Sequence, residues 1–87
     1  MKHTTVEIFT PERVFLKKEN VEFVTIPGHE GELGILPGHM DLQALLVSGE
    51  VRVTSENTVK KYEIASGFAQ IGAEAVKVFT TSAKAKD

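Results

Sequence analysis

The side chains that could move protons or bind a metal gather in one stretch: His29, Glu30, Glu32 and His39. Carboxylates beside imidazoles can serve general acid–base chemistry or a divalent cation. A zinc site, however, asks for three or four ligands converging with tetrahedral geometry. The His-x9-His spacing and its flanks match no recognised ligand set. Solvated loop side chains and a hydrogen-bonded His39 are therefore expected, with a free-standing ligand- or metal-binding module built on His29, Glu30, Glu32 and His39 as the alternative. The intervening glycines invite comparison with a phosphate-binding loop. Gly28-x-x-Gly31-x-x-Gly34 fits neither the Walker spacing nor the dinucleotide fingerprint, and carboxylates stand where phosphates would go. Ser48, Ser55, Ser66 and Ser82 lie in or beside turns, Ser66-Gly67 is no nucleophile elbow, and there is no cysteine. No catalytic residue, metal site or cofactor is expected.

The elements that position this stretch are turns and strands. Four of the seven glycines and two of the three prolines fall between Pro27 and Gly38, a density no helix tolerates. Each Pro-Gly pair presets a negative φ and permits a positive one, so type II turns are predicted at Pro27-Gly28 and Pro37-Gly38. Gly34 and Gly38 are expected to need backbone angles hostile to side chains.

Elsewhere apolar residues alternate with polar ones, and no run keeps a helical period over ten residues. Val6 and Ile8 mark a first strand and Val14-Phe15-Leu16 a second, with turns at Pro11 to Arg13 and Lys17 to Asn20. A third carries apolar residues on both faces between Val21 and Ile26, which predicts a central place in its sheet. Leu42 to Val47 is apolar at consecutive positions and reads as either strand or helical turn. Val51 and Val53, Tyr62 and Ile64, Phe68 to Ile71, and Val76 and Val78 define the remaining strands, with a hairpin turn at Glu56-Asn57. Turn signals recur every eight to ten residues, the spacing of a sandwich or barrel. The expected fold is all-β: a β-sandwich of two packed antiparallel sheets with about ten short strands, domain 1–81 and a flexible tail 82–87. Phe9, Phe15, Phe23, Phe68 and Phe79 read as core or interface aromatics. Leu42, Leu45, Leu46 and Val47 are candidates for an exposed partner patch.

Composition bounds the rest. Eighty-seven residues make one domain. The net charge of -2 supplies no basic field for nucleic acid. No apolar run approaches the roughly 20 residues that span a bilayer, and the start lacks a signal-peptide block. Neither direct membrane insertion nor a nucleic-acid partner is expected, and the isolated chain is expected to be a monomer.

Gly31-Glu32-Leu33-Gly34-Ile35, then Pro37-Gly38-His39, then the apolar run and Gly49 before an alternating strand, resembles the N-terminal domain of the epsilon subunit of F-type ATP synthases. Thr10-Pro11-Glu12-Arg13 and Ser66-Gly67-Phe68 extend the match. Met40 and Asp41 stand where that family usually has a small residue and proline, and the family's Ser-Gly-Gly-Phe lacks its second glycine here. The resemblance implies a non-catalytic central-stalk subunit with two partners, the gamma subunit and the ring of c subunits. It also implies attachment through the complex, peripherally, on the cytoplasmic or equivalent side of an energy-coupling membrane. By position it assigns His29, Glu30, Gly31, Glu32 and Leu33 to the c-ring interface, and His39, Met40, Leu42 and Leu45 to a gamma-facing or ring-facing border. No basic residue adjoins Glu32 in sequence, so it is expected to be free for that contact. The family's two-helix C-terminal domain, to which inhibition of hydrolysis is attributed, has no counterpart in these residues.

Overall fold

The structure is a computed structural model that describes residues 3–38 and 41–86. It contains ten strands: β1 (Thr4–Thr10), β2 (Arg13–Val21), β3 (Phe23–Gly28), β4 (Gly31–Ile35), β5 (Leu42–Leu46), β6 (Gly49–Ser55), β7 (Thr58–Ile64), β8 (Gly67–Ile71), β9 (Ala75–Thr80) and β10 (Ala83–Lys86). Among the described residues there is no helix. The expectations placed on His39 and Met40 lie outside the described residues.

Hydrogen bonding runs in the order β10-β7-β6-β3-β5-β8-β9-β1-β2, with β4 also paired to β3. This path folds into two layers that meet at β3. Strands β5 and β6, separated only by Val47 and Ser48, both run antiparallel to β3. One bent segment thus serves both layers, as at the corners of other sandwiches. The central position expected for the third strand is what the two-sided burial of β3 reflects: Val24, Thr25 and Ile26 are all buried.

Between the layers lies an aliphatic core. Val6 and Ile8 of β1, Val24 and Ile26 of β3, Val51 and Val53 of β6, Ile71 of β8, and Val76 and Val78 of β9 are all buried. Each such side chain contributes on the order of 1.5–3 kcal/mol. The phenylalanines are absent from this fully buried set. Phe15 instead packs edge-on against Tyr62, with ring centroids 6.0 Å apart, and so closes the side of the sandwich. Tyr62 and Ile64 point inward as the alternation predicts. Glu56 and Asn57 both take positive φ, 53° and 64°, as a two-residue hairpin turn of the primed type requires.

Several expectations are corrected. Strand β1 pairs parallel with β9, because the two are far apart in sequence and no hairpin dictates their direction. Lys17 to Asn20 belongs to β2 rather than to a turn. In this strand charged side chains face solvent and suit a sheet edge, and the turn signal survives only as the positive φ of Asn20. Leu42 to Leu46, open between strand and helical turn in the sequence, is strand. The tail is not without structure, since Ala83 to Lys86 pair with β7. Pro27-Gly28 forms the end of β3 with no positive φ at Gly28, whereas Gly38 has φ 82° as expected. Gly34 is in strand, and what constrains it is Phe23, whose ring would lie 2.9 Å from an added Cβ.

The tightest glycine is Gly67, where a Cβ would sit 1.9 Å from the carbonyl oxygen of Phe79 on the neighbouring strand. Gly67→Ala must push β8 from β9 and is expected to destabilise the chain by about 1–3 kcal/mol. Gly38→Ala places a side chain at positive φ and is expected to lose a similar ~1–3 kcal/mol. Urea unfolding measures both. Midpoints equal to the parent's would show that neither position constrains the backbone.

Candidate functional site

The stretch singled out by its chemistry is the β3–β4 hairpin. Gly28 pairs with Gly31, which leaves His29 and Glu30 at the tip. The tip is tied down from the other layer: the His29 N–H donates to the Leu45 carbonyl at 2.8 Å, and the Val47 N–H donates to the Pro27 carbonyl at 3.0 Å. A shallow groove of about 320 Å³ runs between hairpin and β5, lined by Gly28, His29, Glu30, Gly31, Leu33 and Leu42 to Leu45. Four of the five hairpin residues assigned to one interface thus share a surface with Leu42 and Leu45, assigned to its border. Among the described residues no group of three His, Cys, Asp or Glu could hold a metal ion.

Glu32 leaves this groove. It lies on the outward face of β4, where it is ion-paired with Arg52 on β6, Nη2 to Oε2 at 2.9 Å. The expectation that Glu32 is unpaired is thereby overturned, because β3 brings β4 and β6 to its opposite sides and a long arginine spans the distance. Arg52 Nη1 also donates to Glu50 at 3.1 Å, and Lys86 Nζ reaches the other Glu50 oxygen at 3.1 Å.

The registry explains why the chain of ion pairs forms. Glu50 lies directly opposite Glu63, and Arg52 and Lys86 both lie opposite Lys61. Like charges facing each other are unfavourable, so attraction runs diagonally between the acidic row and the basic row. A separate Lys84–Glu63 pair at 3.4 Å joins direct register partners of opposite charge. Lys86 and then Arg52 hold the Glu50 carboxyl below its ordinary value, and Glu32 and then Glu50 hold the Arg52 guanidinium above its own.

The other layer presents a different surface. Leu45, Phe68, Phe79, Phe9 and Val14 are successive register partners across β5, β8, β9, β1 and β2. Phe68 and Phe79 stack at 4.8 Å between centroids, and Phe79 and Phe9 at 5.0 Å. This apolar ladder faces outward, with Leu45 67%, Val14 53% and Phe68 46% exposed. Two residues along β5, β8, β9 and β1, and three along β2 where the register shifts, lies a polar row of Gln43, Gln70, Lys77, Glu7 and Lys17. An exposed apolar row of this length, bordered by polar residues, marks a binding surface.

Residues 3–86 match the family model described as ATP synthase, Delta/Epsilon chain, beta-sandwich domain. The chain belongs to this family. It is 35% identical over 83 residues to an ATP synthase epsilon chain of Elusimicrobium minutum, covering 95% of this chain and 62% of the relative. It is 40% identical over 79 residues to that of Carboxydothermus hydrogenoformans, covering 91% and 58%. The chain thus spans about three fifths of the length of these curated relatives. A chain in the cryo-EM structure of the Euglena gracilis mitochondrial ATP synthase, OSCP/F1/c-ring in rotational state 1, superposes with a TM-score of 0.88 at 29% identity, covering 95% of this chain and 53% of that one. A chain in the Tetrahymena thermophila central stalk/c-ring structure shares the fold, with a TM-score of 0.76 at 15% identity and coverage of 95% and 66%.

Within this epsilon-type sandwich, sequence reasoning singled out the hairpin and Leu45 as candidates but not Arg52, Glu50 and Lys86, which the structure links to Glu32. Nothing local marks them, since their partners lie on other strands. Phe68 and Phe79 were legible as candidate interface aromatics, but their stacking depends on the β8–β9 register.

The lowered Glu50 carboxyl has a consequence for acid stability. A group depressed in the folded state contributes stability that is present above the ordinary value near 4.5 and is lost as pH falls through the lower folded value. The parent is expected to lose stability across that acid window, and Glu50→Gln to lose less there while being the weaker protein at neutral pH. Urea midpoints measured from neutral to acid pH test this. Parallel profiles for the two proteins would remove Glu50 from the pH dependence.

Proposed function

We propose that this chain is the sandwich of a non-catalytic rotor subunit in an F-type ATP synthase, joining the gamma subunit to the c ring so that ion flow is coupled to ATP synthesis or hydrolysis. The family match over residues 3–86 carries the reading. Two features of the molecule support it. A connector that transmits torque needs a stiff body with separate surfaces for its partners, and a close-packed sandwich is stiff. The apolar ladder of Leu45, Phe68, Phe79, Phe9 and Val14 suits a stable apolar contact and is assigned to gamma. The tethered hairpin from His29 to Leu33, with its exposed carboxylates, suits a polar rim contact and is assigned to the c ring, with Leu42 at the border.

Among the described residues no helix is long and apolar enough to cross a membrane. Attachment to the membrane runs through the other subunits in this reading, on the cytoplasmic or equivalent side.

Reconstitution of epsilon-depleted complexes separates the two contacts. Phe68→Ser removes a ladder ring that is 46% exposed in the isolated chain, and it is expected to weaken binding to gamma by at least about fivefold, the loss at a central apolar contact. Glu32→Gln is expected to weaken association with the ring only slightly, because rim ion pairs contribute about 0.2–1 kcal/mol. Glu32→Lys adds repulsion and is expected to do more. Normal assembly and normal proton pumping by Phe68→Ser and Glu32→Lys alike would overturn the assignment.

A further inference from the structure

The ion pairs on the outward face of the β4-β3-β6-β7-β10 layer are a chain rather than a set. Arg52 engages Glu32 and Glu50 through different guanidinium nitrogens, and Glu50 engages Arg52 and Lys86 through different carboxylate oxygens. Each interior member therefore has a partner on either side. An isolated exposed pair holds its side chains loosely, whereas a planar fork held at two points is restrained in direction. Glu32 is the most exposed of the four, with its side chain 56% accessible, and Glu50 the least, at 23%. The chain thus runs from the more sheltered middle of the layer out to the hairpin. The charges of Glu32, Arg52, Glu50 and Lys86 cancel. Without Lys86 one negative charge is left over, and Glu50, with Arg52 as its remaining partner, draws the guanidinium away from Glu32.

We propose that Arg52 is a positioning residue for Glu32, and that Lys86 sets how firmly Arg52 holds it, so that the charge the hairpin presents depends on whether β10 is docked on β7. The functional side of this inference rests on the reading of the hairpin as ring-facing; the link between Lys86 and Glu32 does not. Lys84, on the same strand, pairs with Glu63 outside the chain of contacts and serves as the internal control.

Carbon- and nitrogen-labelled full chain, followed by NMR at neutral pH, reads the link directly through the Glu32 carboxylate carbon and the hindered rotation of the Arg52 guanidinium. Lys86→Met is expected to shift the first and free the second. Lys86→Arg is expected to restore both, and Lys84→Met to change neither. Arg52→Lys keeps the charge without the fork and is expected to move the Glu32 signal most of the way to its position in Arg52→Gln. A Glu32 signal that ignores Lys86→Met, or that answers equally to Lys84→Met, overturns the link.

In reconstituted complexes Lys86→Met is expected to weaken ring association by no more than Glu32→Gln does, at most about fivefold, in line with the size of rim contacts. It is expected to do nothing further on a Glu32→Gln background. Additive losses overturn the positioning role. If Glu32→Gln alone leaves association unchanged, it is the ring-facing reading that fails, and the NMR result still decides whether Lys86 acts on Glu32.

Discussion

Everything else in this sandwich depends on the pairing of β3. It bonds to β4, β5 and β6, and so it is the place where the two layers become one hydrogen-bonded path. Its buried residues Val24 and Ile26 enter the core. Unlike Val24 and Ile26, Thr25 is turned outward, and it is buried between the register partners Gly34 and Arg52. A strand covered on both faces cannot shift register without exposing apolar surface. The hairpin that extends from it inherits that fixity, and the two backbone bonds from Pro27 and His29 to Val47 and Leu45 reinforce it.

With the core fixed, the outward faces of the two layers are free to differ, and they do. Alternation delivers one outward residue for each inward one, so the register that aligns Val78 with Ala69 also aligns Phe79 with Phe68. On one layer the outward residues at that level are apolar and stack. On the other many are charged, Glu50 faces Glu63 and Arg52 and Lys86 face Lys61, and the ion pairs of Glu32 with Arg52 and of Glu50 with Lys86 cross between strands on the diagonal. A small domain thus carries an adhesive row and a charged surface on separate layers, joined through an incompressible interior. That arrangement suits a body gripped on one side and loaded on another.

Strand β10 shows how a weak sequence signal becomes structure. Ala83 and Ala85 are too small to register as an apolar period, so the segment reads as unstructured. Its docking is supplied instead by the open edge of β7, by the Ala65 N–H donating to the Ser82 carbonyl at 3.1 Å, by Lys84 facing Glu63, and by Lys86 reaching across β7 to Glu50. None of these partners is near it in sequence.

The sequence by itself determined the local terms: the all-β class from two-residue alternation, the Glu56-Asn57 hairpin from residues that accept positive φ, the tight segment from Pro27 to Gly38, and through its motifs the family. These are short-range properties, carried by a few adjacent residues and their preferred backbone angles. The tertiary structure alone decided which strands pair and in which direction, and hence the parallel β1–β9 contact, the stacking of Phe9, Phe79 and Phe68, and the capture of Glu32 by Arg52. These contacts join residues from 11 to 70 positions apart, and pairing across such distances is selected by burial of the whole core rather than by any local preference.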